Sequence, residues 1–404
     1  MIAEIKKSTA RGAIVAPASK SYAHRLLIAA ALANGESCIT GVPYCDDALA
    51  TIDCLCALGA DITLDNGVCR IKGTDPRLSA PTAPLCARES GSTLRFILPL
   101  CLLSGNPVTI EGAERLMQRP MGAYEELCHE QGILYKAGKN EITVKGMLKN
   151  QDVELVGNVT SQYVTGMLYA LPFTDGERRI HMTTRIESRP YIDMTVDAMR
   201  RFGVDVCWED DQTLCIKENS CYSPRSLTVE GDWSGAAFPL ALGLFGDVKV
   251  DGLNPDSLQG DRVCTEYFKA LENGSPTLSV ESCPDLAPIL FTVAAIKNGA
   301  TFTETRRLRI KESDRCAVMA EELEKFGAKI KIYENRVEVI KTPLHAPTEE
   351  LCGHNDHRVV MSLAVLASLY GGRIRGAEAV SKSYPDFFKD IINLGIDVNL
   401  YETN

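Results

Sequence analysis

The sequence has no G-x-G-x-x-G and no G-x-x-x-x-G-K-[ST], so neither a dinucleotide fingerprint nor a Walker phosphate loop is present. It has no G-x-S-x-G elbow and no H-E-x-x-H, which leaves a hydrolase nucleophile and a zincin site without support. Aromatics are sparse at 6%, with two tryptophans, and histidines number six. No paired C-x-x-C spacing offers a zinc site, and His354-x-x-His357 alone is a weak basis for one, so no metal and no cofactor are expected. Apolar runs such as Val359 to Leu369 are too short to span a bilayer. The first residues lack a charged stretch leading into an apolar one, so no secretory signal and a cytoplasmic location are expected. The net charge of −10 argues against a general nucleic-acid binder, though a local cluster of Lys and Arg can still attract a small anion.

Cysteine is what the chain has in quantity, 15 residues, an odd number and scattered. In a reducing compartment these read as thiols in apolar positions rather than disulfides. The length of 404 residues suits two domains, each with its own core.

A long-period pattern runs through the chain. An apolar helix closed by glycine recurs as Leu26–Gly35, Phe96–Gly105, Gly166–Gly176, Pro239–Gly246, Ile289–Gly299 and Ser362–Gly371. Those glycines are 70, 71, 70, 53 and 72 residues apart. A second, amphipathic helix recurs as Thr51–Gly59, Met121–Gly132, Ile192–Gly203, Arg262–Gly274, Ala317–Gly327 and Phe387–Gly395. Its glycines are 73, 71, 71, 53 and 68 apart. Both series shorten at the same step, so the period is real and the fourth unit has lost most of its closing hairpin.

Helix-period and strand-period segments alternate within each unit. The third predicts helix Thr160–Ala170, strand Arg179–Thr183, helix Tyr191–Phe202 and a hairpin of Val204–Trp208 with Thr213–Lys217. The fifth predicts strand Phe302–Thr305, helix Lys311–Phe326 and a hairpin of Lys329–Tyr333 with Arg336–Ile340. Six βαβαββ units predict two α/β domains of three. The expected division gives 17–231 to one domain, and 1–16 with 232–404 to the other. The spare strand Ile2–Ile5 is expected to complete the shortened second half.

Cations and hydroxyls fall at equivalent helix starts. These are Ser19-Lys20-Ser21 with Arg25, Glu89-Ser90-Gly91-Ser92 with Arg95, Gln118-Arg119-Pro120, Thr160-Ser161-Gln162, and Ser188-Arg189-Pro190-Tyr191. The later units add Asp285, Lys311-Glu312-Ser313-Asp314-Arg315, Asp356-His357-Arg358 and Lys382 with Pro385. A helix start presents free N–H groups and a positive dipole end. Taken singly, each residue could be a cap or a solvated ion pair; at matching places in four units they point to polyanionic ligands gathered in one cleft between the domains.

That ordered set, spread over nearly the whole chain, resembles the 5-enolpyruvylshikimate-3-phosphate synthase family. The resemblance implies a two-domain inverse α/β barrel of six βαβαββ repeats. It implies transfer of the enolpyruvyl group of phosphoenolpyruvate to the 5-hydroxyl of shikimate 3-phosphate, with release of phosphate, by a cytoplasmic monomer that needs no cofactor. By position, shikimate 3-phosphate would be met by Lys20, Ser21, Arg25, Thr160, Ser161, Gln162, Ser188, Tyr191, Asp285 and Lys311. Phosphoenolpyruvate would be met by Lys20, Gly91, Arg119, Gln162, Arg315, Arg358 and Lys382. Proton transfer would fall to Asp285 at the hydroxyl and Glu312 at the methylene, with Lys20 assisting.

The chain departs from the family's usual Asn-Ala-Gly-Thr at Glu89-Ser90-Gly91-Ser92, while glycine at 91 leaves room for phosphoenolpyruvate or a glyphosate-type analogue. Arg307 stands where Asn is usual and is left out of the site. Two alternatives remain: a UDP-N-acetylglucosamine enolpyruvyltransferase, in which a reactive Cys usually stands at the place of Glu114, and a non-catalytic anion-binding module of the same fold.

Overall fold

The computed structural model describes residues 1–149 and 152–402. The chain divides into two compact units, one of Lys20–Glu230, the other of Met1–Ser19 with Gly231–Asn404.

The unit beginning at Lys20 holds three four-stranded sheets of one design: a parallel pair followed by two antiparallel neighbours. In the first, Ser226–Thr228 lies parallel to Glu36–Thr40, which pairs antiparallel with Val68–Lys72 and then Asp61–Asp65. The second orders Leu85–Cys86, Val108–Glu111, Glu141–Lys145 and Leu134–Ala137. The third orders Val153–Leu155, Arg178–Met182, Thr213–Ile216 and Val206–Trp208. The first repeat therefore borrows its opening strand from the far end of the unit.

The other unit repeats the design with Thr277–Ser279, Ala300–Thr303, Arg336–Ile340 and Lys329–Ile332. In its last sheet Ile2–Ile5 sits between Gly372–Arg375 and Val398–Tyr401, antiparallel to both. The shortened fourth repeat retains Asp247–Asp251, paired in parallel with Arg11–Val15. Sequence reading assigned no role to that second N-terminal strand. Its partner lies over 230 residues away, and four of its five residues are not buried, so it carries almost no alternating signal.

The first helix of each repeat lies inside. Lys20–Ala31 buries every residue from Tyr22 to Ala31, and Ala287–Ile296 buries Ala287 through Ala295. A helix apolar on all sides belongs in a core, where helices pack on helices. Gly91–Cys101 and Ser161–Ala170 pack closely at Gly166, where a Cβ would strike Arg95 O and the Tyr124 hydroxyl. The second helices, such as Arg189–Arg201 and Cys264–Asn273, keep one wet face. The apolar interior of the second unit includes Phe238, Phe291, Phe302, Phe326 and Phe387.

Among the helix limits that differ from the sequence expectation, two bear on the site. The first helix stops at Ala31, four residues before Gly35, because Thr74 N arrives from the neighbouring strand and donates to Ala31 O. The helix expected from Lys311 begins at Arg315, with Asp314 as its N-cap accepting from Ala317 N; residues 306–310 form a separate 3-10 turn. Lys311 and Glu312 therefore lie on a connecting loop, free of helical direction. Among the described residues all fifteen cysteines are free, and burial pushes thiols such as Cys45 up to about 12.

Candidate active site

In the Lys20–Glu230 unit, two clusters form. Lys20 opens its helix and its Nζ lies 2.8 Å from Asp47 Oδ2. Arg25, one turn on, is 2% exposed and points across to the Arg189–Arg201 helix. Its Nη2 donates to Tyr191 O at 2.7 Å, Nε to Thr195 Oγ1 at 3.0 Å and Nη1 to Ser21 O at 2.8 Å. Burial pulls its pKa down. Ser188 precedes that helix in the left-handed region, φ 58°, and is buried. Ser21, Arg25, Ser188 and Tyr191 are thus gathered by two adjoining helix starts.

The second cluster lies at the starts of Gly91–Cys101 and Ser161–Ala170. Gly91 is the first helical residue after the N-cap Ser90. A Cβ there would run into the Arg119 guanidinium, with Cζ at 2.9 Å and Arg95 Nη1 at 3.0 Å. Gln162 is the hub: its Oε1 accepts from Arg95 Nη1 at 2.7 Å and its Nε2 donates to Ser92 Oγ at 3.0 Å. Thr160 caps the helix by accepting from Gln162 N, and Ser161 is buried beside it. Burial, then the neighbouring Arg119, pushes Arg95 down to about 10, so it stays charged at neutral pH.

In the other unit the charged residues converge on Arg315, which is 1% exposed. Its Nη1 meets Asp285 Oδ1 at 2.7 Å, its Nη2 Glu312 Oε2 at 2.9 Å, and its Nε Asp356 Oδ2 at 2.9 Å. Burial alone would lower the Arg315 pKa; Asp356, Glu312 and Asp285 together raise it well above its ordinary value. Lys311 Nζ lies 3.2 Å from the same Asp285 oxygen. Desolvation lowers the Lys311 pKa, with Asp285 opposing and Arg315 reinforcing. Asp356 caps the His357–Tyr370 helix through Arg358 N, and Ser313 Oγ donates to it at 3.0 Å. Arg358 is buried over the Phe238 ring, 5.8 Å from its centroid. Lys382 Nζ donates to Asn355 O, one residue before Asp356. Asp285, Lys311, Glu312, Arg315, Arg358 and Lys382 are thus tied into one assembly.

The structure separates His354 from His357. His354 Nε2 meets Glu322 Oε1 at 2.8 Å, whereas His357 starts the next helix. Glu114 lies in a short exposed helix, ion-paired with Lys139 at 3.3 Å.

Of the residues that hold these groups, Arg95, Ser92 and Asp356 stood in the motifs above without a site role, and Asp47 and Thr195 were not singled out. Asp47 anchors Lys20, Arg95 and Ser92 anchor Gln162, Thr195 anchors Arg25, and Asp356 anchors Arg315. Their signal was position: each lies at or within about one turn of a helix start, or one turn further along a helix already singled out.

Comparison with known proteins agrees over the full length. The family model described as EPSP synthase (3-phosphoshikimate 1-carboxyvinyltransferase) matches residues 5–391. A 3-phosphoshikimate 1-carboxyvinyltransferase from Clostridium kluyveri is 37% identical over 417 residues, covering 98% of this chain and 97% of that protein. One from Clostridium acetobutylicum is 37% identical over 413 residues, covering 96% of each. Among solved structures, an EPSP synthase from Acinetobacter baumannii superposes with a TM-score of 0.80 at 23% identity over 100% of both chains. The enolpyruvyl transferase NikO from Streptomyces tendae does so with a TM-score of 0.77 at 15% identity, over 98% of each. These structural neighbours share the fold. The length and identity of the family match establish that this chain belongs to the EPSP synthase family.

Proposed function

We propose that the protein transfers the enolpyruvyl group of phosphoenolpyruvate to the 5-hydroxyl of shikimate 3-phosphate and releases phosphate. The observation that carries this reading is the meeting of Gly91, Arg119 and Gln162, distant in sequence, at two adjoining helix starts. There the Arg119 guanidinium lies so close to Gly91 that residue 91 has no room for a side chain, an arrangement that would suit a compact anion.

Both substrates are polyanions, so binding calls for several cations and exposed N–H groups, with arginine supplying paired contacts. Lys20, Gly91, Arg119, Gln162, Arg315, Arg358 and Lys382 are assigned to phosphoenolpyruvate. Lys20, Ser21, Arg25, Thr160, Ser161, Gln162, Ser188, Tyr191, Asp285 and Lys311 are assigned to shikimate 3-phosphate. Addition forms a bond between the 5-oxygen and C2 of phosphoenolpyruvate. The hydroxyl proton leaves to Asp285, and a proton from Glu312 adds to the methylene carbon. Elimination returns a methyl proton to Glu312 and restores the C=C bond, and the proton held by Asp285 leaves with the expelled phosphate, so that the enol ether forms and both carboxyl groups recover their starting states. Two carboxylates in different settings can divide such work. Asp285 carries Lys311 and Arg315 beside it, and Glu312 meets Arg315. Lys20 assists the proton traffic. A cytoplasmic monomer is the proposed working form, and among the described residues no helix is long and apolar enough to cross a membrane.

The test is phosphate release on incubation with phosphoenolpyruvate and either shikimate 3-phosphate or UDP-N-acetylglucosamine. Turnover with the first acceptor alone is expected. Turnover only with the UDP-sugar would replace the acceptor assignment, and binding of both anions without turnover would leave a binding module.

A further inference from the structure

A buried line of hydroxyls connects three helix starts in the Lys20–Glu230 unit. His24 Nδ1 lies 2.7 Å from Thr51 Oγ1, Thr51 Oγ1 lies 2.7 Å from Thr93 Oγ1, and Thr93 Oγ1 donates to Ser90 Oγ at 2.8 Å. Thr93 N also donates to Ser90 Oγ, and Thr93 Oγ1 lies 3.3 Å from Asp47 O. All four side chains are at most 1% exposed. The circuit closes on the cation: Asp47 holds Lys20, and His24 is one turn beyond Lys20 on the same helix.

The line is built to hold rather than to conduct. Burial, with Lys20 and Arg25 adding to it, drives the His24 pKa well below its ordinary value, so the imidazole stays neutral with one donor and one acceptor. Among the described residues His24 Nε2 has no hydrogen-bond partner, and the ring meets the edge of Phe96 at 6.2 Å. A proton entering at Ser90 therefore has no exit. What a buried hydrogen-bonded network does supply is a fixed geometry, because each lost member strands its neighbours in a dry interior. Ser90 is the last member and the residue directly before Gly91.

We propose that His24, Thr51, Thr93 and Ser90 are positioning residues that fix the Gly91 helix start relative to Lys20 and so set the affinity for phosphoenolpyruvate. The inference rests on the assignment of phosphoenolpyruvate to Gly91 and Lys20. The serine hydroxyl at residue 90, where the family usually carries alanine, thus completes a network instead of merely adding bulk.

The test measures steady-state KM for each substrate, kcat and the melting midpoint of the purified enzyme. Thr51→Val, which keeps shape and removes the hydroxyl, should raise KM for phosphoenolpyruvate by about fivefold or more, the value of a single hydrogen bond. KM for shikimate 3-phosphate should stay within about twofold, and Thr51→Ser should restore the wild-type value. Ser90→Ala, the milder change, should move the same KM in the same direction, and it decides the matter if Thr51→Val does not fold. A lower melting midpoint with both KM values unmoved, or an equal rise in both, overturns the inference and reduces the line to core packing. If the wild-type enzyme gives no turnover with phosphoenolpyruvate, the proposed function itself fails, a result distinct from either.

Discussion

Arg315 in one unit and Arg25 and Arg95 in the other are buried in opposite settings. Arg315 is surrounded by Asp285, Glu312 and Asp356, a guanidinium with more negative than positive charge around it. Arg25 and Arg95 are equally buried, yet among the described residues neither meets a carboxylate. They are held by carbonyls, a threonine hydroxyl and Gln162. The pKa directions follow: up for Arg315, down for Arg25 and Arg95. A buried cation without a counter-ion is costly, and an incoming anion relieves that cost. The Lys20–Glu230 unit therefore keeps uncompensated positive charge ready for its ligands. The other unit holds Asp285 and Glu312, the proposed proton carriers, against Arg315.

The largest effect should come from reversing that contrast. Arg315→Met takes from Asp285, Glu312 and Asp356 the guanidinium they share and leaves Lys311 beside Asp285. We expect a loss of about 3–5 kcal/mol in urea unfolding, the usual cost of breaking a buried ion network from one side. Arg95→Met strands only neutral acceptors, Gln162 Oε1 and Pro120 O, and should cost less than half as much. Equal losses would show that the distinction between the units has no energetic content.

Next in size is the chemistry assigned to the acid-rich unit. Glu312→Gln keeps a hydrogen-bonding group beside Arg315 and removes the proton donor, so kcat should fall by about 10²–10⁴. Equilibrium binding of shikimate 3-phosphate should persist. A kcat within tenfold of wild type would mean that the methylene proton comes from elsewhere, with Lys20 the first candidate.

A smaller and more selective loss is expected in the cationic unit. Gly91→Ala drives a methyl group into the Arg119 guanidinium. Arg119 has a flexible side chain and can yield, so the fold should survive while KM for phosphoenolpyruvate rises by about tenfold, the low end of overpacking costs. An unchanged KM would place that substrate away from residue 91.

The fold was largely legible because long-period repetition compounds weak local signals. The regular spacing of Gly35, Gly105 and Gly176 marked three repeats whose residue identities hardly match. What escaped was non-local. Arg11–Val15 and Ser226–Thr228 are short strands that make sense only through partners at opposite ends of the chain. Lys311 and Glu312 read as helix because Lys311-Glu312-Ser313-Asp314-Arg315 contains no breaker, although Asp314 is a capping residue type. At the site, charged residues stood out through their type. Asp356 was noted within Asp356-His357-Arg358 but without its role as an anchor; Asp47 at a helix start is equally well explained as a cap, and Thr51 and Thr93 as ordinary core threonines.

The acid-rich unit should also be the more sensitive to acid, and Glu322 gives that expectation a defined window. Its carboxylate is fully buried, which by itself raises the pKa. His354, Cys352 N and Lys325 all hold the ionised form and bring it below the ordinary 4.5. A folded-state pKa below the unfolded one means that the unfolded chain binds the proton first. The stability Glu322 contributes is therefore complete above about pH 4.5 and drains away as the pH falls through its lower folded value. Glu322→Gln removes this proton linkage. Its urea midpoint should fall less steeply than that of the wild type as the pH drops below about 4.5, so that the two curves approach each other on acidification. Because His354 adjoins Asn355, whose carbonyl holds Lys382, wild-type binding of phosphoenolpyruvate should weaken over the same range. Parallel midpoint curves would mean that the three donors merely offset desolvation and that acid acts on the molecule elsewhere.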